Sequence, residues 1–110
     1  MKYVYIAAPY THGDKEENTK NAIIAGDKIA EAGYIPFIPH LNHYWDQLKP
    51  HEYRFWMDQD KAWLLKCDAL VRLPGESKGA DEEVVIALDN NIPVYFGIDE
   101  FLDFMGLEIC

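Results

Sequence analysis

Three polar side chains stand where the pattern of this 110-residue chain asks for apolar ones. The first is Asp60. At 100° per residue, Trp56, Trp63, Leu64 and Cys67 form one helical stripe, and Asp60 lies in its middle. A carboxylate facing a core costs several kcal/mol unless it is paired or serves a site. Buried carboxylates with shifted pKa values gather at functional sites. The alternative is an aspartate satisfied by a backbone amide or a nearby hydroxyl. The second is Glu83. Ala80, Val84, Ala87 and Leu88 form the expected sheet-facing side of another helix, with Glu83 on its flank, about 85° from the centre. Its neighbour Glu82 is expected to point into solvent, with Asp81 intermediate. Acids in a first helical turn suit the helix dipole, which suffices for Asp81 and Glu82 and explains Glu83 less well. The third is Tyr5, mid-strand, whose ring can pack while its hydroxyl needs a partner. A plain core tyrosine is the alternative. Two carboxylates in one cleft are expected to drive their pKa values apart, giving an ionised and a proton-carrying group for acid–base or nucleophilic work.

These residues need elements to bring them together. Residues 2–8 (KYVYIAA) read as a strand buried on both faces, and a loop follows at Pro9. A helix is expected over about residues 14–32, with Ala22, Ala25, Ile29 and Ala32 at three- and four-residue spacing and Gly33 just beyond its end. Residues 34–38 (YIPFI) make a second strand, placed at an edge by Pro36, which cannot donate to a ladder. Residues 40–50 read as irregular. A helix spans 51–66, a strand 69–73 (ALVRL), a helix 79–90 capped near Ser77, a strand 92–96 (IPVYF) and a short helix about 100–105. Asp68 reads as a turn residue ahead of the third strand.

Strict β-α alternation predicts a single α/β domain over residues 1–110, a doubly wound parallel sheet in the order 2-1-3-4. This is a flavodoxin- or Rossmann-like three-layer sandwich. Ligands of such sheets bind outside the carboxyl ends of the strands, near the switch point between the first and third. That edge gathers Pro9, Tyr10, His40, His43 and Ser77, with Gly79 and Ala80 in the first turn of the following helix. These seven are the expected substrate-lining residues. His40 and His43, with His12, lack a clear further metal ligand, and no metal is expected. There is no GxGxxG, GKS or GKT, so dinucleotide and P-loop motifs are missing.

Composition narrows the partners. Nineteen acids against ten bases give a formal charge of −9, which disfavours nucleic-acid polymers and anionic membrane surfaces. A chain of this size, 49% apolar, buries an ordinary core without staples. Cys67 and Cys110 make no disulfide framework, and no signal peptide or membrane-length apolar run is read, so a soluble cytoplasmic protein is expected. Val85 and Ile86 add apolar area off the main helix face, which points to a homodimer or higher oligomer.

Three segments, VYIAAPYT, DKAWLLKCDALVRL and SKGADEEVVIALDNNIPVY, together resemble the nucleoside 2-deoxyribosyltransferase-like superfamily, in particular its short uncharacterised bacterial and phage branch. The resemblance runs from Lys2 to Phe96. It implies a site tyrosine at Tyr5, a site aspartate at Asp60, a nucleophilic glutamate at Glu83 and a pocket residue at Ser77. It implies cleavage or transfer at the N-glycosidic bond of a nucleoside or nucleoside 5′-monophosphate without a cofactor. Two other readings compete. Leu73-Pro74-Gly75 with Gly79 and Glu83 faintly echoes lysine-decarboxylase-like phosphoribohydrolases. The same fold could also serve as a non-catalytic nucleotide-binding or sensing module.

Overall fold

The computed structural model describes residues 2–109, and the expectation for Cys110 lies outside them. Four strands, β1 (Tyr3–Ala7), β2 (Ile35–Phe37), β3 (Ala69–Arg72) and β4 (Val94–Phe96), form one parallel sheet in the order β2-β1-β3-β4. The expected order 2-1-3-4 is the observed one. Tyr5 pairs with Phe37 on one side and Leu70 on the other, so it sits at the heart of the sheet. Pro36 is on the edge strand, where its missing N–H costs no ladder bond.

Strand alternation divides the core in two. Val4, Ile6 and Val71 point to the face covered by α1 (Lys15–Glu31) and α5 (Ile98–Ile109), where Ala22, Ala25, Ile29 and Phe101 pack. Tyr5, Ala7 and Leu70 point to the face covered by α3 (Tyr53–Leu64) and α4 (Lys78–Asp89), against Leu64, Cys67, Ala80 and Ala87. Asp14 caps α1, accepting from the amides of Glu16 and Glu17 at 2.9 and 3.2 Å. Gly33 follows that helix at φ +98°, the left-handed conformation expected of a C′ residue. Gly26 lets α1 approach β2, since a Cβ there would collide with the Ile38 side chain. Asp68 accepts from the Tyr3 amide at 2.8 Å and so ties the helix-to-strand turn to β1.

Residues 40–50 are more ordered than their sequence implies. A 3-10 turn (Pro39–Asn42) leads into α2 (His43–Leu48). None of the α2 residues is buried, so it carries no apolar stripe for periodicity to reveal. It is held from outside instead. Asp46 Oδ1 accepts from Trp56 Nε1 at 2.8 Å and from the His51 amide at 3.1 Å.

Two helix faces are rotated from their expected settings. On α3 the buried positions are Met57 and Leu64, while Trp63 is 52% exposed and stacks on Phe37 over the sheet's edge, at 4.9 Å between centroids. On α4 the buried line is Ala80, Glu83, Ala87, and Leu88 is 60% exposed. The small Ala80 and Ala87 let α4 settle against both the sheet and α3, which turns Glu83 to the middle of the buried face rather than its flank. Glu82 is only half-exposed, 3.7 Å from the Arg54 guanidinium of α3 rather than free in solvent. The last helix is longer than expected, beginning at Ile98. Among the described residues, no helix is long and apolar enough to cross a membrane.

Candidate functional site

A cleft of about 260 Å³ opens at the carboxyl edge of the sheet, on the α3/α4 side. Its floor is polar. Glu83 is buried at 6% exposure, and the Tyr5 hydroxyl donates to its Oε2. The Tyr5 ring is steadied by Phe37, stacked at 5.5 Å. Asp60 approaches from α3, and its Oδ1 is buried with no hydrogen-bond partner among the described residues. Burial pushes Glu83 up to about 8; nearby Asp60 adds to the rise, while the Tyr5 hydrogen bond and Arg72 oppose it. Burial alone pushes Asp60 up to about 7. Burial, reinforced by the Glu83 and Asp60 charges, holds the Tyr5 hydroxyl protonated well above the usual tyrosine range. The two carboxyls are therefore not driven far apart, contrary to the expectation from the sequence. Desolvation raises both.

The first turn of α4 forms one wall. Ser77, Gly79 and Ala80 all line the cleft. The Ala80 amide is not open to a ligand. Its N–H donates to Ser77 Oγ at 3.1 Å, and the Asp81 amide donates to the Ser77 carbonyl at 3.0 Å. Gly79 faces α3 closely, because a Cβ there would lie 3.2 Å from the Tyr53 hydroxyl and 3.7 Å from Met57 Sδ.

The opposite wall comes from the β1–α1 loop and the segment after β2. His40 and His43 line the cleft with Tyr10. The two histidine rings meet the Tyr10 ring edge-on, each at 5.6 Å. Burial lowers the His40 pKa, and its Nε2–H donates to the Pro9 carbonyl at 2.8 Å, which leaves Nδ1 as a buried acceptor. The Tyr10 hydroxyl lies 2.6 Å from His43 Nδ1. Pro9 itself does not line the cleft; it packs against Gly75, whose φ of +116° and close approach to the proline ring suit glycine alone. Pro9 thus serves the site through its carbonyl. Among the described residues no group of three His, Cys, Asp or Glu is gathered as metal ligands. Cys67 is a free, buried thiol that burial pushes up to about 11.

Residues outside the sequence-based set also line the cleft: Thr11, Lys15, Asp46, His51, Tyr53, Trp56 and Met57. The α2 contribution was hidden by that helix's lack of an apolar stripe. Trp56 was legible as part of the helical stripe around Asp60 and His51 as the start of that helix; their tie to Asp46 depends on α2.

The family described as Domain of unknown function (DUF7768) matches residues 2–97. The chain belongs to that family. Among curated proteins, no relative of this DUF7768 chain was found. Solved structures share its fold, among them two 2-deoxyribosyltransferases. One is a 2-deoxyribosyltransferase from Bacillus psychrosaccharolyticus, at 20% identity and a TM-score of 0.66, covering 86% of this chain and 70% of that one. The other is a 2-desoxiribosyltransferase from Leishmania mexicana, at 21% identity and a TM-score of 0.61, covering 87% of this chain and 63% of that one. At such identities the likeness is one of fold. The resemblance read from the sequence thus meets a distant relationship in architecture.

Proposed function

We propose that the chain cleaves or transfers at the N-glycosidic bond of a nucleoside or nucleoside 5′-monophosphate, with Glu83 as nucleophile. The observation that carries this reading is that Glu83 and Asp60 line one cleft, with Tyr5 buried behind Glu83 and hydrogen-bonded to it. A glycosidic bond breaks through an oxocarbenium-like transition state, which a carboxylate beneath the anomeric carbon stabilises and then captures. As substrate fills the cleft, the proton that Glu83 holds at rest passes to Asp60, leaving Glu83 as the carboxylate and Asp60 as the acid. Glu83 attacks that carbon, the bond to the base breaks, and its electron pair leaves on the base nitrogen. Asp60 gives its proton to the departing base. Tyr5 fixes the attacking oxygen. Water then opens the glycosyl ester to complete hydrolysis; a second base completes transfer.

Incubation with a panel of nucleosides and their monophosphates, read by chromatography, tests this. Free base is expected, and Glu83→Gln and Glu83→Ala are expected to lower its release by several orders of magnitude. Full activity in both variants overturns the role of Glu83. Tight binding without turnover favours a nucleotide-binding or sensing module instead. The same reading includes self-association through the outer surface of α4, where Val85 is exposed and Ile86 half-buried. Sedimentation at micromolar concentration is expected to give a dimer or larger, and a 12.7 kDa monomer overturns it.

A further inference from the structure

Arg72 has no place in the chemistry above, yet it is built into the same face of the sheet. It is the last residue of β3 and shares strand parity with Leu70, which packs beneath α4. A guanidinium at such a position is unusual, and its side chain is only 10% exposed. Both of its terminal nitrogens are engaged. One nitrogen, Nη1, donates to the Leu73 carbonyl. The other, Nη2, donates to the Gly75 carbonyl and to Asp81 Oδ1, each at 2.9 Å. Those three acceptors lie along the turn from β3 into α4 and in the first turn of α4. A planar fork can hold several acceptors in fixed directions, which a flexible ammonium cannot.

We propose that Arg72 is the positioning residue of the site: it ties the β3–α4 turn and the first turn of α4 to the end of β3, and so sets Glu83 against Tyr5. The helix starts only a few residues after the strand, at Lys78, and Gly75 makes the reversal at positive φ. Without the clamp that turn is held chiefly by the Ser77 cap and the Pro9–Gly75 contact. The guanidinium also adds a positive charge near a carboxyl that is otherwise faced by acids and a phenol. Around Glu83 stand Tyr5 from β1, Asp60 and Tyr53 from α3, Glu82 on its own helix and Arg72 from β3. Of these, Arg72 favours the ionised form by its charge and Tyr5 by its hydrogen bond.

The catalytic part of this inference rests on the glycosidic reading; the positioning part does not. The test uses Arg72→Gln and Arg72→Lys in the full chain, with Glu83 and Tyr5 followed by side-chain carbon NMR across pH. In Arg72→Gln the Glu83 midpoint is expected to rise by about one unit, because a compensating charge is gone. Its kcat is expected to fall roughly tenfold to a hundredfold with KM little changed, as for a displaced reacting group. Arg72→Lys restores most of the midpoint, since it restores the charge, but not kcat, since it lacks the fork; its Tyr5 ζ-carbon resonance shifts. A folded Arg72→Gln with the parent midpoint and kcat overturns the proposal. If Arg72→Gln does not fold, Arg72→Lys decides: a shifted Tyr5 resonance supports positioning, and an unmoved one overturns it. Absence of turnover in the parent chain defeats the glycosidic reading alone, because the NMR arms remain.

Discussion

The two faces of the sheet are made from alternate residues of the same strands, yet they are built on different terms. Under α1 and α5 every strand contribution is apolar: Val4, Ile6, Ala69, Val71. Under α3 and α4 the same strands send Tyr5 and Arg72, and the helices answer with Asp60 and Glu83. The first face gains stability from each group it buries. The second hides a carboxyl that would be better solvated in the unfolded chain. The contrast teaches that one half of this small core supplies the stability that lets the other half hold strained electrostatics, the usual division between scaffold and site.

The largest expected effect lies on the apolar face. Phe101 is fully buried and packs edge-on against Tyr34 and Tyr95 at 5.3 Å each. Phe101→Ala is expected to lower stability by about 3–5 kcal/mol in urea unfolding. It should leave the Glu83 titration where it is. A variant that shifts Glu83 while losing little stability would show that the two faces are not separate.

The sequence exposes the apolar face more fully than the polar one, and the reason is physical. Residues such as Ala22, Ala25 and Ile29 repeat at helical spacing because burial selects them one by one. The strand order followed from alternation and handedness, both of which are written in the chain. Asp60 and Glu83 were legible because they interrupt a pattern. The turn of Glu83 from the flank to the middle of its buried face was not, since that depends on how α3 and α4 settle against each other. Arg72 carries a signal of its own: a charge at the parity of Leu70 inside a four-residue strand. The α2 segment and its Asp46 clamp were invisible, because contacts across a loop leave no period in the sequence.

A second, intermediate effect comes from pH. Asp60 is raised from an ordinary 3.8 to about 7 and Glu83 from 4.5 to about 8. Folded-state values above unfolded ones mean the folded chain binds more protons in that window. The stability they contribute is therefore full below about pH 4 and is lost as pH rises through about 7 to 8. Stability is therefore expected to fall between pH 5 and pH 8 in chemical denaturation. The double variant Asp60→Asn, Glu83→Gln removes both groups and should flatten that slope, leaving the opposite contribution of His40 and the repulsion among surface acids. A slope unchanged in the double variant would place the pH dependence elsewhere and dissolve the electrostatic half of the contrast.

The smallest effect is the sharpest, because it compares neighbours. Tyr5 and Ile6 are adjacent in β1, both fully buried, and face opposite ways. Ile6→Val removes one methylene and is expected to cost about 0.5–1.5 kcal/mol with no change in any titration. Tyr5→Phe removes one oxygen and leaves the buried Glu83 without its donor, a loss of about 1–3 kcal/mol if the carboxyl stays ionised. Glu83 has a way to avoid part of that loss, which is to keep its proton. The Tyr5 hydrogen bond is one of the influences that lower its pKa, so Tyr5→Phe should move the Glu83 midpoint above about 8. The measured loss should then depend on pH, small where Glu83 is protonated and larger where it is not. Equal and pH-independent losses in the two variants would mean that β1 treats its two faces alike, and that the tyrosine is there for its ring alone.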